Sequence, residues 1–111
     1  MAIYVTSDAH GHVRALDEAL SKISLASDDT LYVLGDMIDR GPDPVGVIKL
    51  VRSLPNARVL KGNHEQIMLD AIIGQDPLDA ETWDINGGWT TRQQLNDMEF
   101  EAYEELIRWA A

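Results

Sequence analysis

Three short β-rich runs, at residues 2–6, 30–34 and 57–60, each give way to a polar segment containing glycine: SDAHGH at 7–12, GDMIDRG at 35–41 and GNHE at 62–65. The stretches between them have helical period. Val13, Leu16, Leu20 and Ile23 are spaced by three, four and three residues, one apolar stripe of an amphipathic helix that the polar SLASDD closes. Asp43 followed by Pro44 supplies an N-cap and a first-turn proline for a second helix, with Val47, Val51 and Leu54 as its buried face. A third helix carries Ile67, Met68 and Ile72 and stops before Gly74 and the Asp76-Pro77 break. The order βαβαβα predicts an α/β fold with a parallel sheet and right-handed crossovers. Its polar segments should then gather outside the carboxyl ends of the strands.

What gathers there is chemically specific. Asp8, His10, Asp36, Asp39, Arg40, Asn63 and His64 bring carboxylates, imidazoles and an amide oxygen to one crevice. Such a set suits a binuclear metal site, and the guanidinium beside it suits a phosphate. Asp8 and His10 stand two apart at a strand end; in extended geometry both side chains point to one side and share one ion. Gly11 fits a place where another backbone segment comes close, and His12 is expected to be exposed at the helix start.

The ordered trio resembles the signature of the calcineurin-like metallophosphoesterases, and specifically of the phosphoprotein phosphatase branch, whose segments run GDxHG, GDxxDRG and GNHE. GNHEQIMLDA and the later NGGW, Asn86 to Trp89, are similar to bacterial and phage-lambda-type members. The resemblance implies that Asp8 and His10 bind a first divalent metal, that Asp36 bridges two, and that Asn63 offers its carbonyl oxygen to the second. Manganese is the first expectation, iron or zinc the next. It also implies that Arg40, with Asn63 beside it, holds the phosphoryl group while a metal-bound hydroxide attacks phosphorus. His64 would protonate the leaving alkoxide, Asp39 would orient His64, and Glu65 would support the loop from a buried position. The implied reaction is hydrolysis of a phosphoric monoester. GDMIDRG, GNHE in place of GNHD, and EQIMLDA tilt the substrate towards phosphoserine or phosphothreonine in a protein; a dinucleoside polyphosphate hydrolase of the same branch is the alternative.

The chain also departs from that pattern. It has Ser7 where the family usually has glycine and His12 where cysteine is common, and neither change removes a ligand. Only three histidines are present and none follows His64, whereas the family completes its second metal site with two further histidines and usually a second arginine from a C-terminal half. One ion or fewer is therefore expected to bind tightly, at Asp8, His10 and Asp36. Three readings stay open: an N-terminal piece of a longer phosphatase, a small protein whose partner chain supplies the missing ligands, or a non-catalytic metal-binding or interaction module. The family fold is a two-sheet sandwich, so a single partial domain over residues 1–111 would leave an apolar sheet face bare, and self-association is expected.

Composition narrows the classes further. Nineteen acidic against nine basic residues leave a formal charge of −10, which opposes a broad nucleic-acid-binding face. There is no cysteine, so cysteine-dependent phosphatase chemistry and disulfides are excluded. MAIYVTSD lacks the features of a leader, and no apolar run approaches the ~20 residues of a membrane span; a cytoplasmic protein with no membrane partner is expected. Residues 75–90, punctuated by proline, glycine and asparagine, read as a loop. Phe100, Tyr103 and Ile107, with Trp109 nearby, read as the core-facing stripe of a last helix.

Overall fold

The computed structural model describes residues 2–74 and 76–111. Its first part follows the expected alternation: β1 (Ile3–Thr6), α1 (Val13–Ile23), β2 (Thr30–Val33), α2 (Pro44–Arg52), β3 (Ala57–Val59) and α3 (Asn63–Ile73). The strands pair in parallel in the order β1-β2-β3, with Ile3 opposite Thr30, Val5 opposite Tyr32, and Tyr32 opposite Arg58. Asp43 caps α2 through a bond from the Gly46 N–H to its carboxylate at 2.9 Å, and Pro44 opens that helix.

Strand order 1-2-3 with right-handed crossovers places successive helices on the same side of the sheet. Burial agrees. Leu31 and Val33 are 2% exposed and pack with Leu16, Val47, Ile48, Val51 and Met68. The alternate positions Ile3 and Val5 are 65% and 61% exposed, and Leu34 and Leu60, just past their strands, are exposed too. The bare apolar face expected from a single sheet is present among the described residues.

Beyond α3 the chain differs from expectation. Pro77–Ile85 is a helix, α4, where residues 75–90 were expected to be a loop, and a further helix, α5 (Trp89–Asn96), starts at the end of that span; Gln75 lies outside the described residues. The cause is local at α4: Asp76 accepts the Leu78 N–H at 3.0 Å and Pro77 occupies the first turn, the same start signal as Asp43-Pro44. In α5, WTTRQQLN, the buried residues are Thr90, Thr91 and Leu95, so no apolar stripe announces the helix. Gln94 ties it to the start of α2, accepting the Val45 N–H at 2.8 Å and donating to Asp43 at 2.8 Å.

The last helix, α6 (Phe100–Ala110), forms as expected, but Phe100 is not in the core: it is 73% exposed. Side chains on a helix lean towards its N-terminus, so a residue in the first turn reaches past the neighbours that cover the later turns. Leu106 and Ala110 are the buried residues, with Tyr103, Ile107 and Trp109 partly buried against the core and Arg52 lying 5.5 Å from the Trp109 ring. No helix among the described residues is long and apolar enough to cross a membrane.

The loops after β2 and β3 touch with no room for a side chain. Gly35 has φ +86°, and a Cβ built on it would lie 2.3 Å from the Gly62 nitrogen. Replacing Gly35 by alanine therefore combines left-handed strain with a backbone clash. A loss of roughly 2–4 kcal/mol is expected. Urea unfolding checks this; an unchanged midpoint would contradict it.

Candidate active site

The three polar segments do meet at the carboxyl edge of the sheet. Asp8, His10, Asp36, Arg40, Asn63 and His64 line one cleft of about 350 Å³, with Gln66, Ile67 and Asn86 completing the wall. Asp39 sits behind it, 0% exposed. All seven residues picked out from the motifs are thus within one constellation.

Asp8, His10 and Asp36 each offer a ligand atom, and these atoms lie within 4.8 Å of one another. The ring of His10 is held by its Nδ1, 2.8 Å from the Ile38 carbonyl oxygen, which makes Nδ1 the protonated donor and leaves Nε2 with its lone pair. That Nε2 is 3.6 Å from the Asp8 carboxylate. The Ser7 hydroxyl donates to Asp8 at 2.6 Å and holds its carboxyl below the ordinary range. An ionised carboxylate, an imidazole nitrogen with a free lone pair and a second carboxylate make a donor set that fits a divalent ion. The reason Asp8 and His10 meet is not extended backbone, however. Their φ angles are +56° and +41°, so a left-handed turn, with Asp8, His10 and Gly11 N–H groups bonded to carbonyls of the 35–41 loop, brings them together.

His64 and Asp39 form a second group. His64 Nδ1 is 2.8 Å from Asp39 Oδ2, its backbone N–H donates to Asp36 Oδ1 at 2.9 Å, and its ring meets that of His10 edge-on at 4.6 Å between centroids. Asn63, the first residue of α3, is exposed to the cleft. Arg40 is exposed as well and forms no salt bridge among the described residues, unlike a surface arginine paired to a neighbouring acid. Its backbone has φ +68°.

Glu65 is 2% exposed and collects three backbone N–H groups: Asp36 at 2.7 Å and Gly62 at 3.0 Å on one oxygen, Met37 at 3.0 Å on the other. The supporting role expected for it is borne out in geometry. Gly11 is where another segment comes close, since a Cβ there would lie 2.9 Å from Gly41, and His12 is exposed at the start of α1.

Two residues at the site escaped the motifs. The Trp83 indole N–H donates to both Asp39 oxygens, at 3.0 and 3.1 Å, and the Thr91 hydroxyl donates to Asp39 Oδ1 at 2.7 Å. Both come from the stretch beyond α3. The Asp76-Pro77 cap was the available signal for Trp83; nothing local marks Thr91.

A family model, calcineurin-like phosphoesterase, matches residues 1–108. The symmetrical bis(5'-nucleosyl)-tetraphosphatase of Pectobacterium carotovorum subsp. carotovorum (strain PC1) is 38% identical over 107 residues, 86% of this chain and 38% of the relative. Serine/threonine-protein phosphatase 1 of Salmonella typhimurium (strain LT2) is also 38% identical, over 92 residues, 81% of this chain and 41% of the relative. A solved metallophosphoesterase from Sphaerobacter thermophilus is similar with a TM-score of 0.63 and 29% identity, over 94% of this chain and 39% of that one. The chain spans less than half the length of the curated relatives it matches.

The geometry at Glu65 gives a direct test. Glu65→Gln puts an NH₂ against at least one of the three backbone N–H groups, leaving a buried donor without an acceptor. A loss of roughly 2–3 kcal/mol is expected, with weaker divalent-ion binding as the Asp36 loop loosens. Thermal unfolding and calorimetry on the same sample check both; parent-like values would remove Glu65 from this role.

Proposed function

The chain belongs to the calcineurin-like phosphoesterase family, which is hydrolytic and metal-dependent, and on that footing we propose that it carries the metal-binding and proton-donating part of a serine/threonine phosphoprotein phosphatase. One observation supports this most: a metal-ready triad, the His64 ring backed by buried Asp39, and an arginine with no salt bridge among the described residues meet at one cleft. Asp8, His10 and Asp36 would hold a first divalent ion, and the carbonyl oxygen of Asn63, which lines the same cleft, would serve a second. Manganese is the ion proposed. When bound, such an ion places positive charge at a phosphoryl oxygen and acidifies water.

The protein's own groups do the rest. Arg40 grips phosphoryl oxygens with its planar fork of donors, which a lysine would not reproduce. His64, protonated at both ring nitrogens, keeps its Nδ1–H on Asp39 and delivers the Nε2 proton to the departing serine or threonine oxygen. The Asp39 carboxylate compensates the imidazolium charge in a place with no water to do so. An alkoxide is a poor leaving group, so this proton is what distinguishes an alkyl ester from an aryl one.

A second reading, hydrolysis of a dinucleoside polyphosphate, has support from the relative of that name, whose identity to this chain equals that of the protein phosphatase. The two separate in one assay: a phosphoserine peptide, an aryl phosphate and a dinucleoside tetraphosphate, each with and without manganese, on this chain and on a full-length relative carrying the same motifs. Manganese-dependent turnover of the peptide is expected. Preference for the tetraphosphate would transfer the reading to the second class. In the active protein, His64→Asn should slow alkyl phosphates about 10²–10⁴-fold and aryl phosphates less, with metal content retained. Equal slowing of both esters would remove the proton-donor role.

We further propose that the 111-residue chain self-associates through its bare sheet face, one copy's Ile3, Val5 and Leu60 packing on the same residues of a second. Light scattering should give dimers or larger species, and Val5→Asp should shift them towards monomer. A monomer mass across a wide concentration range would contradict this.

A further inference from the structure

The segment from α4 to α5 lies outside the motifs, yet it grips Asp39 and Arg40 through five hydrogen bonds. Trp83 Nε1–H donates to both oxygens of Asp39, at 3.0 and 3.1 Å. The Thr91 hydroxyl works in two directions, donating to Asp39 Oδ1 at 2.7 Å and accepting the Asp39 backbone N–H at 2.9 Å. The Gly87 carbonyl accepts the Arg40 N–H at 2.9 Å. Both gripped residues have left-handed backbone, Asp39 with φ +71° and Arg40 with φ +68°, which L-residues hold only where surroundings impose it.

We propose that Trp83 and Thr91 are positioning residues for the proton donor: by filling the remaining acceptor directions of Asp39 they fix the plane of its carboxylate, and so the ring of His64. The inference rests on the reading of Asp39 and His64 given above, and it adds residues that this reading did not contain. Asp39 is fully buried, and Trp83 and Thr91 are 3% and 0% exposed, so no water stands ready to replace a lost donor. His64 is held to Asp39 Oδ2 by a single bond at 2.8 Å. If the carboxylate rotates, that bond and the direction of Nε2 change with it. Because Gly87 holds Arg40 from the same segment, the phosphate-binding side chain and the proton donor share one brace.

The test separates positioning from plain stability by using near-isosteric pairs. Thr91→Val keeps the shape and removes the hydroxyl; Thr91→Ser keeps the hydroxyl. Trp83→Phe keeps an aromatic ring and removes the N–H. On the metal-free chain, proton and ¹⁵N resonances of His64 report whether Nδ1–H stays on Asp39, and its exchange with water reports how firmly. Thr91→Val and Trp83→Phe are expected to speed that exchange at least about tenfold while Thr91→Ser stays near the parent. In the active protein the same two variants should lower kcat for an alkyl phosphate about tenfold with KM and metal content little changed. Parent-like His64 exchange in Thr91→Val and in Trp83→Phe, or a Thr91→Ser variant as impaired as Thr91→Val, would overturn the proposal. Should Trp83→Phe fail to fold, the threonine pair decides alone. If no phosphoester is hydrolysed by any form, the functional reading fails, and the His64 exchange measurement still decides the brace.

Discussion

Glu65 joins the two loops on which the rest of the site is built. A carboxylate is an acceptor only, and three backbone N–H groups from Asp36, Met37 and Gly62 converge on it where water is excluded. This bond set lets the 35–41 loop and the start of α3 lie close enough for Gly35 and Gly62 to touch. It also brings Asp36 Oδ1 within 2.9 Å of the His64 N–H. The Asp36 carboxylate and the His64 imidazole are therefore parts of one unit, and neither can shift without breaking bonds made by the other's loop.

A gradient of exposure runs through the constellation and has a chemical meaning. Groups that hold others are buried: Asp39, Glu65, Trp83 and Thr91. Asp8, Arg40 and Asn63, which line the open cleft, are exposed, His10 lies between, and His64 is itself buried. Buried polar groups are tolerated because their acceptors and donors are nearly all matched; only Thr90 Oγ1 lacks a partner among the described residues. Of the six non-glycine residues with positive φ among the described residues, Asp8, His10, Asp36, Asp39 and Arg40 all belong to the site and Ser24 does not. Strain of about 1–3 kcal/mol at each is of the size that the surrounding bonds can hold, and it is what turns these side chains towards one cleft.

The two Asp-Pro pairs show where local reading succeeds and fails. Asp43-Pro44 precedes a clear apolar stripe and was legible as a helix start; Asp76-Pro77 has the same capping chemistry but precedes PLDAETWDI, whose only buried residue is Trp83, and it read as a break. Nor does α5 bury an apolar stripe. Its Thr91 and Gln94 side chains instead meet hydrogen-bond partners on other segments of the chain, a use of polar residues that periodicity cannot register. Phe100 errs in the other direction, apolar and on the right spacing but at a helix end where nothing covers it.

The alternation of strands and helices from β1 to α3 and the identity of the residues at the strand ends were determined by local sequence, because apolar period, caps and loop motifs each act within a few residues. Asp8, His10, Asp36, Asp39, Arg40, Asn63 and His64 were all legible in that way. Tertiary structure alone decided how they meet. The left-handed turns that replace extended backbone at Asp8 and His10 depend on contacts with the neighbouring loop, and the tautomer of His10 depends on the carbonyl of Ile38. The grip of Trp83 and Thr91 on Asp39 joins residues 44 and 52 positions apart. No window of sequence contains both ends of such a bond, and its geometry exists only once the helices have packed.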